Sequence, residues 1–237
     1  MGGECREGLR RWLGLGWKNA SRGLTGDGRN HTKYVQYRHV EYVVLQYRHV
    51  EYVVLVVPGG IEDGVLGYVV YSGEEAGAEA GKYKNNRALL RARAQAGLAV
   101  LQQHELTDPR RVAAIGYCFG GTAVIELARS GADIAGVVSF HGGLDSPQPA
   151  DGRNIKCKVL ALHGADDPHV SAKDLAAFED EMRQAKVDWQ LVKYGGAVHS
   201  FTDWNAGDNP RQGAAYNERA DRRSWEAMKQ FFAELFK

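Results

Sequence analysis

Residues 111–121, RVAAIGYCFGG, constrain the fold of this chain more than any other stretch. An apolar run suited to a buried strand meets FGGTAVIELAR, whose apolar spacing is helical, with only Cys118 between them. A strand that becomes a helix within one residue needs a sharp, strained turn. Gly116 and Gly120 suit it, because the turn leaves no room for larger neighbours. The turn pushes the central side chain out at the helix N-terminus, where the helix dipole favours thiolate over thiol. The backbone N–H of Phe119 then points to where an oxyanion would form. Serine is the usual occupant of such a place. A free cysteine is otherwise often a small buried hydrophobe, so nucleophile and inert thiol are both open readings of Cys118 at this point.

Composition narrows the field. The chain has 237 residues, 44% of them hydrophobic, enough for one sizeable α/β core. A formal net charge of +1 provides no basic footprint for nucleic acid and no acidic tail for a cationic partner. Cys5, Cys118 and Cys157 are an odd, sparse set that suits a reducing compartment better than a disulfide framework. They include no C-x-x-C pair for zinc or an iron–sulfur cluster, and no apolar run approaches the roughly 18 residues that span a bilayer. The N-terminal MGGECREGLRRWLGLGWKNA is broken by glycine and charge and makes a poor signal peptide. The cytoplasm is the expected compartment. Two sequons, at Asn19 and Asn30, carry no meaning without secretion.

Residues 1–33 are rich in Gly, Arg and Asn without a sustained period and read as a weakly ordered arm. Next, QYRHVEYVVL occurs twice in succession, at 36–45 and 46–55. Two short copies do not make a solenoid. Their β-branched and aromatic content favours strand, although the valines also recur at helical spacing. One continuous strand from Tyr34 to Val57 would run about 80 Å at roughly 3.3 Å per residue, too long for this domain. The segment must therefore bend without a turn signal, or one copy must lie outside the main sheet. Identical strands could also pair between molecules, since their register is weakly specified. That pairing makes a homodimer the partner the repeat suggests.

Beyond Leu55 the pattern alternates. Strands are expected at Leu55–Val57, Leu66–Tyr71, Arg111–Tyr117, Ile134–Phe140, Val159–His163 and Trp189–Tyr194. Helices are expected at Asn85–Glu105, capped by Asn85, and at Phe119–Arg129, Ala172–Ala185 and Arg219–Phe236. The stripe Trp225, Met228, Phe231, Phe232, Leu235 reads as core. This order predicts an α/β fold, a mostly parallel sheet with helices on both faces, and ligands at the carboxyl ends of the strands.

Candidate chemistry falls at those ends. After the strand in LALHGADDPHV comes a turn with two carboxylates, Asp166 and Asp167. Asp167, three residues past Gly164 and just before Pro168, is the favoured acid, with Asp166 as fallback. Either could instead form an ordinary Asx turn. A metal set of His163, Asp166, Asp167 and His169 fits no standard zinc spacing, so no metal is expected. His199 lies in the loop GGAVHSFT after the last strand, in reach of the elbow. Nucleophile, acid and histidine follow in that order, the α/β-hydrolase order. Tyr117, Phe140 and Trp204 are candidates for an acyl pocket, the first two more readily read as core.

GYCFGG, HGADDPHV and GGAVHSFT, with KYKNNRALLRARAQAGL before the elbow, resemble the dienelactone hydrolases of the α/β-hydrolase superfamily. The resemblance runs from about Leu66 to the C-terminus. It implies an α/β-hydrolase fold over residues 34–237, with 34–65 atypical. It implies a triad of Cys118, Asp167 and His199, ester or lactone hydrolysis through a thioester, a small-molecule substrate and no cofactor. Two departures stand out. Where dienelactone-specific members carry a substrate-binding arginine, four residues past the histidine, this chain has Asp203, which points to neutral short-chain esters. The segment before Leu66 also lacks room for the family's helix. The second oxyanion donor would be the N–H of Gly60 or Ile61, and Glu62 would be the carboxylate that holds the resting thiol. An alternative is a catalytically impaired scaffold that self-associates through the duplicated strands.

Overall fold

The computed structural model describes residues 33–37, 40–45, 53–58, 80–103 and 107–237. Of the arm expected at 1–33, residues 1–32 lie outside the described residues, while Lys33 belongs to a strand; the strand expected at Leu66–Tyr71, and Gly60, Ile61 and Glu62, also lie outside them.

Four parallel strands form the half of the sheet that carries the elbow: β4 (Ala113–Tyr117), β5 (Gly136–Phe140), β6 (Lys158–Gly164) and β7 (Trp189–Tyr194), side by side in chain order. Three further strands, β1 (Lys33–Tyr37), β2 (Val40–Leu45) and β3 (Val53–Pro58), extend it antiparallel through β3 against β4. Both copies of the repeat thus contribute strand to one sheet. Their identical VVL segments pair with each other, Val43 opposite Leu55 and Val44 opposite Val54. The two strands are antiparallel although the sequence between them, QYRHVEY, offers no Gly, Pro or Asn.

Helices cover both faces of the parallel strands. On one face pack α1 (Arg87–Gln102), α2 (Phe119–Arg129) and α3 (Ala172–Ala185); on the other packs α4 (Glu218–Leu235). Strand side chains alternate between the two cores. Val137, Val159 and Ala161 join Ile125, Phe178 and Met182. Val138, Leu160 and Leu162 join Met228, Phe231 and Phe232. The aromatic stripe of α4 is therefore core, as its spacing suggests. Asn86, one residue past the expected cap, closes the N-terminus of α1 by accepting from Leu89 N at 3.0 Å, and the helix ends at Gln102. Asn85, one residue before that cap, instead donates its backbone N–H to Gly81 O at 3.0 Å. Ser171 and Asp174 form a reciprocal capping box on α3. Among the described residues no helix is long and apolar enough to cross a membrane.

Candidate active site

Cys118 is the link between β4 and α2, with φ 52° and ψ −120°, a conformation costly for a non-glycine residue. Close packing of strand against helix enforces it. A Cβ on Gly116 would overlap the Gly120 carbonyl and lie 2.6 Å from Gly121 N. Phe119 opens α2, so its N–H is one of the helix-end donors with no intrahelical acceptor. Cys118 is partly exposed. Cys157, by contrast, is buried in the core, and burial pushes its thiol up to about 12.

His199 follows β7 in a loop and sets its Nδ1 2.9 Å from Asp167 Oδ2, whose side chain is wholly buried just past β6. Asp167 Oδ1 accepts from His169 N at 2.8 Å. Asp166 turns away and accepts from Gly196 N at 2.9 Å. Of the two carboxylates, Asp167 is the one that meets His199. Burial raises the Asp167 carboxyl, but the hydrogen bond and charge of His199 outweigh it and hold it below the ordinary value. Burial likewise lowers His199. The bonds to Asp167 and to Cys118 outweigh it and lift the imidazole to about 10.

The structure also brings in a residue the sequence reading missed. His141 stands one position past β5, as Cys118 stands one past β4, and the two strands pair Tyr117 with Phe140. His141 Nδ1 lies 3.3 Å from Cys118 Sγ and 3.2 Å from Cys118 N. Its Nε2 is 2.8 Å from Thr202 Oγ1. The ring is buried, and burial, with the charges of His199 and His163, pushes its pKa well below the ordinary value. It is a neutral imidazole beside a partner that titrates high. Cys118 Sγ and one nitrogen each of His141 and His199 lie within 4.8 Å of one another. Ser200 Oγ is 3.4 Å from the sulfur. Adjacency in the sheet was the signal available for His141: a polar residue at the carboxyl end of the strand beside the elbow.

The metal set weighed from sequence does not assemble, since Asp167 is engaged by His199 and Asp166 by Gly196. Among the described residues, the converging metal-ligating groups are Cys118, His141 and His199.

A cleft of about 240 Å³ opens on Cys118 and His199, lined also by Phe119, Val170, Lys84, Arg87 and Asp145. Arg87 donates to Asp145 at 2.6 Å. Asp203 is not part of this lining. Its carboxylate caps the turn at Trp204–Ala206 by accepting from Asn205 N at 2.9 Å. Trp204 is likewise turned to Asp221, its indole N–H 3.4 Å from the carboxylate. Tyr117 stacks on buried Phe140 with centroids 4.5 Å apart.

Comparison with known proteins points one way. Residues 71–236 match the model of the dienelactone hydrolase family. An uncharacterised protein of Caenorhabditis elegans is 34% identical over 152 residues, which are 62% of this chain and 94% of that protein. A putative carboxymethylenebutenolidase of Synechocystis is 27% identical over 167 residues, 66% of this chain and 65% of that protein. Among solved structures, a dienelactone hydrolase-like promiscuous phosphotriesterase from metagenomic libraries has a TM-score of 0.70 and 32% identity. The match covers 89% of this chain and all of that one.

Proposed function

Since the chain belongs to the dienelactone hydrolase family and is a hydrolase of ester or lactone bonds, we propose that it works through a Cys118–His199–Asp167 triad and a thioester acyl-enzyme. The observation that carries this is the chain of contacts at one strand-end cluster: an elbow cysteine, a histidine within reach of its sulfur, and a buried carboxylate 2.9 Å from that histidine's far nitrogen.

The steps follow from these positions. His199 takes the thiol proton, and Asp167 stabilises the imidazolium it becomes. The sulfur attacks the ester carbonyl carbon, and the developing oxyanion faces the Phe119 N–H at the start of α2. The tetrahedral adduct collapses as His199 protonates the leaving alcohol oxygen. Water, deprotonated by His199, then attacks the thioester carbon, and the carboxylic acid leaves as the thiol re-forms. His141, with Nε2 toward Thr202, accepts the Cys118 N–H on Nδ1 and stands 3.3 Å from the sulfur, which holds the elbow in place between turnovers.

The reading from sequence for neutral short-chain esters rested on Asp203. With that carboxylate capping a turn and Lys84 and Arg87 in the lining, the cleft also suits an ester or lactone that bears an anionic group. Its volume favours a small acyl part.

The test is hydrolysis of p-nitrophenyl acetate by wild type, Cys118→Ala and His199→Ala, with mass spectrometry of acid-quenched enzyme. Turnover in the wild type, its loss in both variants and an acetyl adduct on Cys118 are expected. Full activity in Cys118→Ala would sink the mechanism.

A further inference from the structure

We propose that Cys118 Sγ, His141 Nδ1 and His199 Nε2 form a binding site for a thiophilic divalent cation, Zn²⁺ or Cd²⁺, which blocks the nucleophile when bound. The blocking rests on the function proposed above; the binding does not.

Three observations carry it. The first is the donor set. One sulfur and two imidazole nitrogens converge within 4.8 Å. Zinc bonds of about 2.3 Å to sulfur and 2.0–2.1 Å to nitrogen place tetrahedral donors roughly 3.3–3.6 Å apart. The Cys118–His141 separation, 3.3 Å, is already there. His199 needs only a side-chain adjustment of about an ångström to complete such a set.

The second is the support behind each imidazole. Metal-binding histidines almost always give their other ring nitrogen to a carboxylate or another oxygen, which fixes the tautomer and aims the ligating nitrogen. Here Asp167 Oδ2 holds His199 Nδ1 at 2.9 Å, and Thr202 Oγ1 holds His141 Nε2 at 2.8 Å. His141 thus keeps a lone pair on Nδ1, aimed at the sulfur. The N–H of Cys118 competes for that lone pair at 3.2 Å, but it has a second acceptor, Phe140 O, at 3.0 Å. The ion can take the nitrogen without stranding the amide.

The third is charge and access. Thiolate and the Asp167 carboxylate behind His199 balance a doubly charged ion, so no net charge is left in the half-buried cluster. Cys118 and His199 line the cleft, which leaves a fourth position for water. Thiol and His199 together hold one dissociable proton; coordination as thiolate and neutral imidazole sends that proton to solvent. Hard cations such as Mg²⁺ and Ca²⁺ prefer all-oxygen sites and do not compete.

The full chain, treated with chelator and reductant, is titrated with Co²⁺. One equivalent should produce a thiolate-to-cobalt charge-transfer band and the intense visible bands of tetrahedral cobalt, both removed by excess Zn²⁺. Cys118→Ala should lose the charge-transfer band. His141→Asn and Thr202→Val, each checked by circular dichroism, should weaken Co²⁺ at least tenfold. Thr202→Val keeps all three ligands and removes only the oxygen behind His141, so it remains informative if His141→Asn misfolds. Zn²⁺ should inhibit ester hydrolysis over the range in which it displaces Co²⁺. An unchanged band in Cys118→Ala, or equal affinity in wild type and Thr202→Val, would overturn the site. An inactive protein that still shows the cobalt bands would count against the hydrolase mechanism alone. An active one that shows none would count against the metal site alone.

Discussion

Arg129 is fully buried at the C-terminal end of α2, and all five of its N–H donors are used. Nε and Nη2 bind Glu181 of α3 at 2.9 and 2.6 Å. Nη1 binds Glu126 at 2.8 Å and the Asp145 carbonyl at 3.0 Å, and Nη2 also reaches the Leu144 carbonyl at 3.1 Å. Arg129→Met fills much of the volume but leaves the Glu181 carboxylate buried without its cation. Glu126 is less exposed to the loss, since Arg91 Nε holds it at 2.7 Å. Removing one partner of a buried ion pair costs about 3–5 kcal/mol, whereas replacing both by apolar groups is often close to neutral. For a chain of this size each kcal/mol shifts Tm by roughly 2–4 °C, so Arg129→Met should melt roughly 6–20 °C lower. Arg129→Met with Glu181→Met should recover most of that. Urea denaturation at pH 7 reads both stability differences. The loop end Leu144–Asp145 hangs on Arg129 and leads to the cleft, so KM should rise with the loss of stability. Additive losses in the double variant, or a single-variant cost under about 1 kcal/mol, would refute the reasoning.

Two further contrasts test the site by measurements on matched pairs. Gly116→Ala puts a Cβ into the backbone of the first turn of α2, which cannot rotate aside; about 3 kcal/mol and most of the activity should go. Gly97→Ala meets nothing within 4 Å in the interior of α1 and should gain roughly 0.5–1 kcal/mol in the same denaturation assay. Asp167→Asn should lower kcat by roughly 10²–10⁴-fold through the wrong His199 tautomer, while Asp166→Asn, which touches Gly196 N and not His199, should stay within about tenfold of wild type in p-nitrophenyl acetate turnover; the reverse order would reassign the acid.

The parallel half of the fold was legible because it repeats one local rule. Each strand of five to seven residues in β4–β7 is followed by chemistry-bearing residues, and each helix has a period of its own. Phe119–Arg129, Ala172–Ala185 and Trp189–Tyr194 fall where the pattern puts them. The antiparallel half was not legible. When two adjacent copies read identically, nothing local distinguishes the residues that reverse the chain from those that pair, and only the sheet settles it, Val44 opposite Val54. His141 escaped for a different reason. It belongs to no motif and matters only through register: β4 and β5 pair Tyr117 with Phe140, so the residues that follow become neighbours. Asp203, four residues past His199, shows what position alone leaves out: the loop turns there and the carboxylate caps its own backbone.

One sulfur between two imidazoles poses a question of roles that the outer partners answer. Asp167 is an anion, so the ring it holds is stabilised as a cation, and His199 sits at about 10. Thr202 brings a hydroxyl and no charge. Burial then decides for His141, which is driven well below the ordinary value. Pairs of titratable groups pushed apart by their surroundings mark acid–base assignments. In the proposed mechanism a ring that stays neutral does not deliver a proton to the leaving group, so the proton transfer falls to His199. Backbone strain has the same address. Cys118, His141 and Ser200, three of the four non-glycine residues at positive φ among those described, all bear on this sulfur, whereas the fourth, Lys186, closes a helix. Strain of this kind persists only where the surroundings over-determine it, and here the strand-to-helix packing at Gly116 does so.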